Sequence, residues 1–424
     1  MMDSQFRKST LPNGLRVLSE RHPHVHSATL GLWIEAGSIY EEGGQSGLAH
    51  LLEHMVFKGT ASRSATKIAQ LMDRIGGQMN AFTEREFVCF HVKTLAEHTD
   101  LALELLCQLA TSPTLEPDDL EIEKSVVLEE IRSVEDVPEE LAEDLFMSTL
   151  WPSSRWGRPI LGDEKSVEKL STADLRLFMK AHYAPRNVLV SAVGDVDHDR
   201  LVKRAARLLR DLPGDNEGAR LVPPPPEIAS SISMTARDVE QVHIVCGTRA
   251  YSNTDPRRFA AFTLDTILTG GYSSRLFQEV REKRGLCYSI GSVGAHYRDG
   301  GYWAVATSVA PESAVKTARL IGKELRRVKE KGVGKAELDR ANQMTRANML
   351  LSEESSSAQM SRIARNELCY GAQRSTQQVL ADVLAVTREE IQAVAREMFS
   401  SDLMTVAAVG PFDKGARPLK IEVD

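Results

Sequence analysis

The chain has little of what a membrane or nucleic-acid protein needs. Basic residues are outnumbered, 52 Lys and Arg against 59 Asp and Glu, a formal net charge of -7 over 424 residues. That balance removes the general positive field by which proteins hold a phosphate backbone, and no nucleic-acid partner is expected. Apolar stretches such as Val188–Val193 fall far short of the roughly 18 residues a membrane-spanning helix requires, so no membrane span is expected. The opening segment MMDSQFRKSTLPNG has no apolar stretch behind its charges, and no secretory signal is read there. Cysteines are few: Cys89, Cys107, Cys246, Cys287 and Cys369 are odd in number, widely spaced and mostly flanked by apolar residues. They suit reduced thiols rather than a disulfide framework, which gives a cytoplasmic expectation. Only 6% of residues are aromatic, but 42% hydrophobic and 26% charged is ordinary for packed globular protein.

A chain this long exceeds one ordinary core and predicts two or three domains. The sharpest compositional break is polar Gly214–Arg220 running into Pro223 to Pro226; proline fixes φ and removes a donor, so an extended connector is expected. The flanks echo each other. Asn187–Asp197 (NVLVSAVGDVD) and Leu403–Asp413 (LMTVAAVGPFD) place their Val-Gly pairs at 193 and 409, 216 residues apart. Each follows a helix-like run opened by a threonine able to cap it, Thr172–His182 and Thr387–Phe399. The reading is a duplicated domain: an N-terminal metal-binding domain over 1–213, a Pro-rich linker over 214–228, and a C-terminal homologous domain over 229–424. Alternating runs such as His26–Ile34 and Val242–Cys246 predict strands. Longer periodic segments such as Ser46–Phe57 and Asp118–Glu135 predict helices. Because strands and helices do not alternate as parallel-sheet units, the expected class is α+β, each domain a mainly antiparallel sheet with helices packed on one side.

Chemistry concentrates in Gly47-Leu-Ala-His-Leu-Leu-Glu-His-Met-Val-Phe57. On a helix His50 and His54 are i and i+4 and Glu53 is i+3, so the three project from one face while Leu48, Leu51, Leu52 and Val56 pack elsewhere. Two neutral imidazoles at this spacing can chelate Zn²⁺, and Glu53, if not a ligand, can take a proton from a water the metal activates. The H-x-x-E-H order is that of the inverzincins. A third ligand is required, and Leu120–Arg132 supplies candidates: Glu123 and Glu130 are seven apart on a predicted helix and share a face. Glu130 is the better ligand and Glu123 the better partner for an imidazole. Read alone, an acidic helix face needs no explanation beyond solvation.

With these residues in place the chain resembles the insulinase/pitrilysin superfamily of zinc metallopeptidases, in the branch that includes processing peptidases and short bacterial relatives. The likeness runs through Leu11–Val17, Gly37-Ser38 with Glu41, His50–His54, Gly76–Thr83, Glu123–Glu130, Gly157–Gly162 and Val193–Asp195. It implies one Zn²⁺ held by His50, His54 and Glu130, with Glu53 as general base and Glu123 supporting the site. In the second half it matches Arg281 and Tyr288, within Thr269–Tyr288, to the family's substrate-gripping pair; a cation and a phenol aimed at a substrate carbonyl would stabilise oxyanion charge. Without the likeness Arg281 reads as a surface charge and Tyr288 as a core aromatic. Asn80, Ala81 and Phe82 match the strand on which the family lays its peptide by β-augmentation, although Asn80 alone also reads as a turn residue.

A shift of 216 residues sets His50–His54 against Thr266–Gly270, which holds no His or Glu; metal work is expected in the first half and substrate grip in the second. His22-Pro-His-Val-His26 would put three imidazoles on one side of a strand, but it lacks a carboxylate base and reads as solvated surface. The expected activity is zinc-dependent endopeptidase hydrolysis of extended or unfolded peptides. The likeness implies a chamber made of two such chains, hence a homodimer. The alternatives are the catalytic subunit of a heterodimer with a zinc-free paralogue, or a structural subunit on the same fold, which the intact ligand set argues against.

Overall fold

The computed structural model describes residues 5–214, 222–413 and 415–424; residues 215–221 of the expected linker lie outside the described residues. The chain forms two compact units, and neither is a continuous stretch. Unit 1 takes Met1–Ile131, Pro159–Pro223 and Ser352–Gln373; unit 2 takes Arg132–Arg158, Pro224–Leu351 and Arg374–Asp424.

Unit 1 is built on the strands β1 (Gln5–Thr10), β2 (Arg16–Arg21) and β3 (Ser27–Ile34), the two-residue pair β4 (Gly59–Thr60) and β5 (Arg63–Ser64), and β6 (Gln78–Thr83), β7 (Val88–Leu95) and β8 (Val188–Gly194). All but the short β4–β5 pair join one sheet in the order β1-β2-β8-β3-β7-β6. Every pairing in it is antiparallel except β2 with β8. Unit 2 has β9 (Ser231–Ala236), β10 (Val242–Arg249), β11 (Cys287–His296), β12 (Gly301–Val309) and β13 (Thr405–Gly410) in the order β11-β12-β10-β13-β9, with β13 parallel to β9. Leaving β1 aside, the two orders superimpose strand for strand. β8 and β13, which carry the echoed Val-Gly pairs, fill the same place, so the 216-residue repeat is a repeat of topology.

The departure from two continuous halves is an exchange of helices. Helix Ser356–Tyr370, from late in the chain, lies against β8, β3 and β2 of unit 1. Its Met360, Ile363, Ala364 and Leu368 form one apolar cluster with Leu18, Trp33, Cys89, Leu189 and Val193, and Ser356 Oγ is 2.9 Å from Thr29 Oγ1. Helix Pro138–Leu150, from the first half, lies against β13, β10 and β9 of unit 2. The physical reason is visible along β3. Thr29 and Trp33 face the late helix, while Ala28, Leu30, Leu32 and Ile34 on the other face are fully buried, where helix Thr99–Thr111 lies against β3 and β7. A strand apolar on both faces needs cover on both, so each sheet carries helices on one face from its own half and on the other a helix from the opposite half.

Candidate metal centre

The H-x-x-E-H segment forms the helix Leu48–Val56, whose Leu48, Ala49, Leu51, Leu52, Met55 and Val56 are buried. That leaves His50, Glu53 and His54 on the remaining face. The helix start is fixed by two devices. The buried Glu41 carboxylate accepts from the Gly47 N–H at 3.2 Å and the Ala49 N–H at 2.9 Å, satisfying donors the helix cannot pair itself. Gly47 sits at φ +90°, where a Cβ would stand 2.4 Å from the Leu161 carbonyl oxygen. This close approach joins the Gly157–Gly162 stretch to the metal helix.

The second contributor is the helix Pro117–Asp136, which buries Leu120, Glu123, Lys124, Val127 and Ile131, a helical spacing of one face. Glu123 and Glu130 lie two turns apart along it. Glu130 Oε2 is 3.7 Å from His50 Nε2 and 3.6 Å from His54 Nε2, and the three ligand atoms of His50, His54 and Glu130 all lie within 4.8 Å of one another. Ligand atoms on a tetrahedral zinc stand roughly 3.3–3.5 Å apart, so the set is spaced for the ion. Burial and the neighbouring His54 bring the His50 imidazole down to about 4, so it is neutral with a lone pair to give. His50 Nδ1 is buried without a hydrogen-bond partner among the described residues. Two imidazoles and one carboxylate suit zinc with a coordination position left open.

Glu53 stands beside this set rather than in it. Burial pushes its carboxyl up, while Thr83 Oγ1, donating to Oε2 at 2.5 Å, pulls the other way. Thr83 ends β6, which pairs with β7 and forms the edge of the sheet. Asn80, Ala81 and Phe82 lie on that edge strand. The Asn80 side chain accepts from the Ala81 N–H at 2.8 Å, and the Phe82 ring packs edge-on to Trp33 and beside His91. Glu123 is buried; its Oε2 accepts from His54 Nδ1 at 3.0 Å, and Lys58 Nζ lies 2.5 Å from its Oε1. Burial alone would raise the Glu123 carboxyl, but the Lys58 and His54 hydrogen bonds bring it below the usual range. Lys58 is absent from the sequence reading, and Thr83 enters it only as the end of the Gly76–Thr83 stretch, without its contact to Glu53. Lys58 was legible in principle, being four residues after His54 and so on its side of the turn.

In unit 2 the Arg281 guanidinium lies over the rings of Phe277 and Tyr288, 4.7 and 5.6 Å from their centroids. Tyr288 is 86% exposed, so the core reading of this aromatic does not hold. His22–His26 lies in a turn after β2 rather than on a strand, which removes the geometry that would have aligned its imidazoles.

Fold and site together define a duplicated α+β protein with a two-His, one-Glu cluster in its first unit that could hold a metal ion. The profile described as Insulinase (Peptidase family M16) matches residues 16–164, and that described as Peptidase M16 inactive domain matches 169–345. The chain belongs to this insulinase family of peptidases. It is 37% identical over 420 residues to an uncharacterized zinc protease of Streptomyces coelicolor, covering 97% of this chain and 91% of that protein. To the uncharacterized zinc protease YmxG of Bacillus subtilis it is 32% identical over 406 residues, covering 96% and 98%. Among solved structures, a peptidase M16 inactive domain from Pseudomonas fluorescens shares the fold with a TM-score of 0.89 at 23% identity, covering 97% of this chain and 100% of that one. A protease from Helicobacter pylori does so at 0.88 and 24%, covering 96% and 99%. No helix among the described residues is long and apolar enough to cross a membrane.

Proposed function

We propose that the protein is a zinc-dependent endopeptidase acting on extended peptides, with His50, His54 and Glu130 holding the ion and Glu53 as general base. The observation that carries this reading is the convergence of the three ligand atoms within 4.8 Å, with the half-buried Glu53 carboxylate on the next position of the same helix. Zinc held there supplies Lewis acidity toward a water molecule and a peptide carbonyl. Glu53 takes a proton from the attacking water as its oxygen bonds to the carbonyl carbon, and returns it to the amine as the C–N bond breaks. Thr83 fixes the Glu53 carboxylate through its hydroxyl. The β6 edge, with Asn80, Ala81 and Phe82, receives the substrate as an added strand, a role supported by its place at the end of the strand order and by Thr83 tying it to Glu53. Arg281 and Tyr288 hold the substrate carbonyl side; their contact with each other and the exposure of Tyr288 support that pairing. Both residue sets lie in one chain, which supports a homodimer in which one copy's second half serves its partner's metal site.

The test is Glu53→Gln on the full chain. Zinc content by elemental analysis stays at one per chain, and turnover of a quenched peptide falls roughly 100-fold or more, the range of a lost general base. Near-normal turnover sinks the assignment. His50→Ala and Glu130→Ala should each lower zinc occupancy. Light scattering showing fully active monomers would overturn the dimer.

A further inference from the structure

We propose that Lys58 is a positioning residue for the metal-ligand set, acting through Glu123 on His54; this rests on reading His50, His54 and Glu130 as zinc ligands. Beyond Val56 the chain continues the helical turn, with the Phe57 N–H bonded to the His54 carbonyl at 3.2 Å and the Lys58 N–H to the Met55 carbonyl at 3.2 Å. Lys58, one turn past His54, therefore stays on the side of the metal helix that faces Glu123.

The Glu123 carboxylate is held at both ends. Lys58 Nζ lies 2.5 Å from Oε1, and Oε2 is 3.0 Å from His54 Nδ1. An ionised carboxylate can only accept, so Nδ1 carries the proton and Nε2 keeps its lone pair. That Nε2 is the atom 3.6 Å from Glu130 Oε2. Through this chain the ammonium sets the carboxylate rotamer, the carboxylate sets the imidazole tautomer and ring plane, and the ring presents its free nitrogen to the site. The other histidine has no matching device, since His50 Nδ1 is buried without a hydrogen-bond partner among the described residues. Orientation of the ligand set therefore depends on the His54 branch, and that branch begins at Lys58. Glu123 is 8% exposed and Lys58 28%, so the ion pair is shielded enough for its geometry to persist, unlike an exposed surface pair.

Zinc affinity measured by competition with a chromogenic chelator tests this on the full chain. Lys58→Met should weaken zinc binding roughly 10- to 100-fold, the usual cost of losing an outer partner of a metal-bound histidine. Lys58→Arg should restore most of the loss by supplying another cation to Oε1. Lys58→Met combined with Glu123→Gln should bind no more weakly than Glu123→Gln alone, because the lysine acts through the glutamate. Cobalt substituted for zinc should show an altered visible spectrum in Lys58→Met and a native one in Lys58→Arg. Affinities are compared between chains whose metal-free melting matches the wild type, with Lys58→Gln as the second charge-removing variant. Wild-type affinity in both Lys58→Met and Lys58→Gln overturns the role, as do losses that add in the double variant. If instead His50→Ala binds zinc as tightly as the wild type, it is the ligand assignment that fails, and the role of Lys58 with it.

Discussion

The junction of Gly47 with the Gly157–Gly162 stretch gives the sharpest quantitative expectation, because three neighbouring glycines separate its causes. At Gly43 an added Cβ meets nothing within 4 Å and φ is ordinary; at Gly44 the space is equally open but φ is +84°; at Gly47 φ is +90° and the Cβ would stand 2.4 Å from the Leu161 carbonyl oxygen and 3.1 Å from the Gly162 Cα. Gly43→Ala should therefore change stability by less than about 0.5 kcal/mol, as surface substitutions do. Gly44→Ala should cost about 1–2 kcal/mol, the left-handed penalty alone. Gly47→Ala adds to that penalty an overpacking cost of about 1–3 kcal/mol, for a total near 3 kcal/mol. It should also reach the metal. Relieving the contact moves backbone by several tenths of an ångström one turn from His50, against a tolerance of roughly 0.5 Å for a functional constellation. Urea unfolding of the zinc-free chains and chelator competition on the loaded ones read the two effects. Gly47→Ala no more destabilising than Gly44→Ala, with unchanged zinc affinity, would refute the claim that this junction seats the metal helix.

Three further expectations concern other parts of the chain. Ile363→Ala removes a fully buried side chain from the cluster with Leu18, Trp33, Leu189 and Val193, and should cost about 2–5 kcal/mol, with hydrogen exchange quickening in β3 and β8 although the altered residue belongs to the second half of the sequence. Glu41→Gln keeps the size of the cap but removes its charge and one of the two oxygens that accept from the Gly47 and Ala49 N–H groups, and should cost about 0.5–2 kcal/mol in denaturant melts. Glu337, whose carboxyl is lowered by hydrogen bonding to Arg275, against burial, contributes stability that is present above the ordinary carboxylate range and lost as pH falls through its depressed folded value. Glu337→Gln should thus be less stable than the wild type at neutral pH, with the gap closing on acidification, and a gap that widened in acid would contradict the ion pair.

Much of the site could be read in the residues because its chemistry is local. His50, Glu53 and His54 fall within one helical turn, and the spacing of Glu123 and Glu130 declares a shared face before any fold is known. The duplication was legible through β8 and β13, whose central, doubly buried positions force the same small-apolar-glycine pattern twice. Lys58 and Thr83 were harder to see, since each acquires its meaning from a partner 65 or 30 residues away: Lys58 against Glu123, Thr83 against Glu53. The exchanged helices were hidden for a related reason. An amphipathic run such as Ser356–Tyr370 shows that it needs an apolar surface but not whose surface it will be, and sequence proximity points to the wrong sheet. The proline run was read as a boundary on composition; a change of unit between Pro223 and Pro224 lies in it, but the changes after Ile131, Arg158, Leu351 and Gln373 have no such compositional mark.

The exchange has a consequence for the order in which the protein is made. The last strand of the unit 1 sheet, β8, ends at Gly194, yet the helix that covers Trp33, Leu189 and Val193 contributes its first cluster residue at Met360, 360 − 194 = 166 residues later. At roughly 5–20 residues per second, the ribosome takes about 10–30 s to deliver it. During that interval a finished sheet waits with one apolar face open to water. Unit 2 has the opposite history, its covering helix Pro138–Leu150 being synthesised before any strand it will lie on. Each half of the sequence thus carries the helix that completes the other half's sheet, and the sheet that is made first must wait longest for its own.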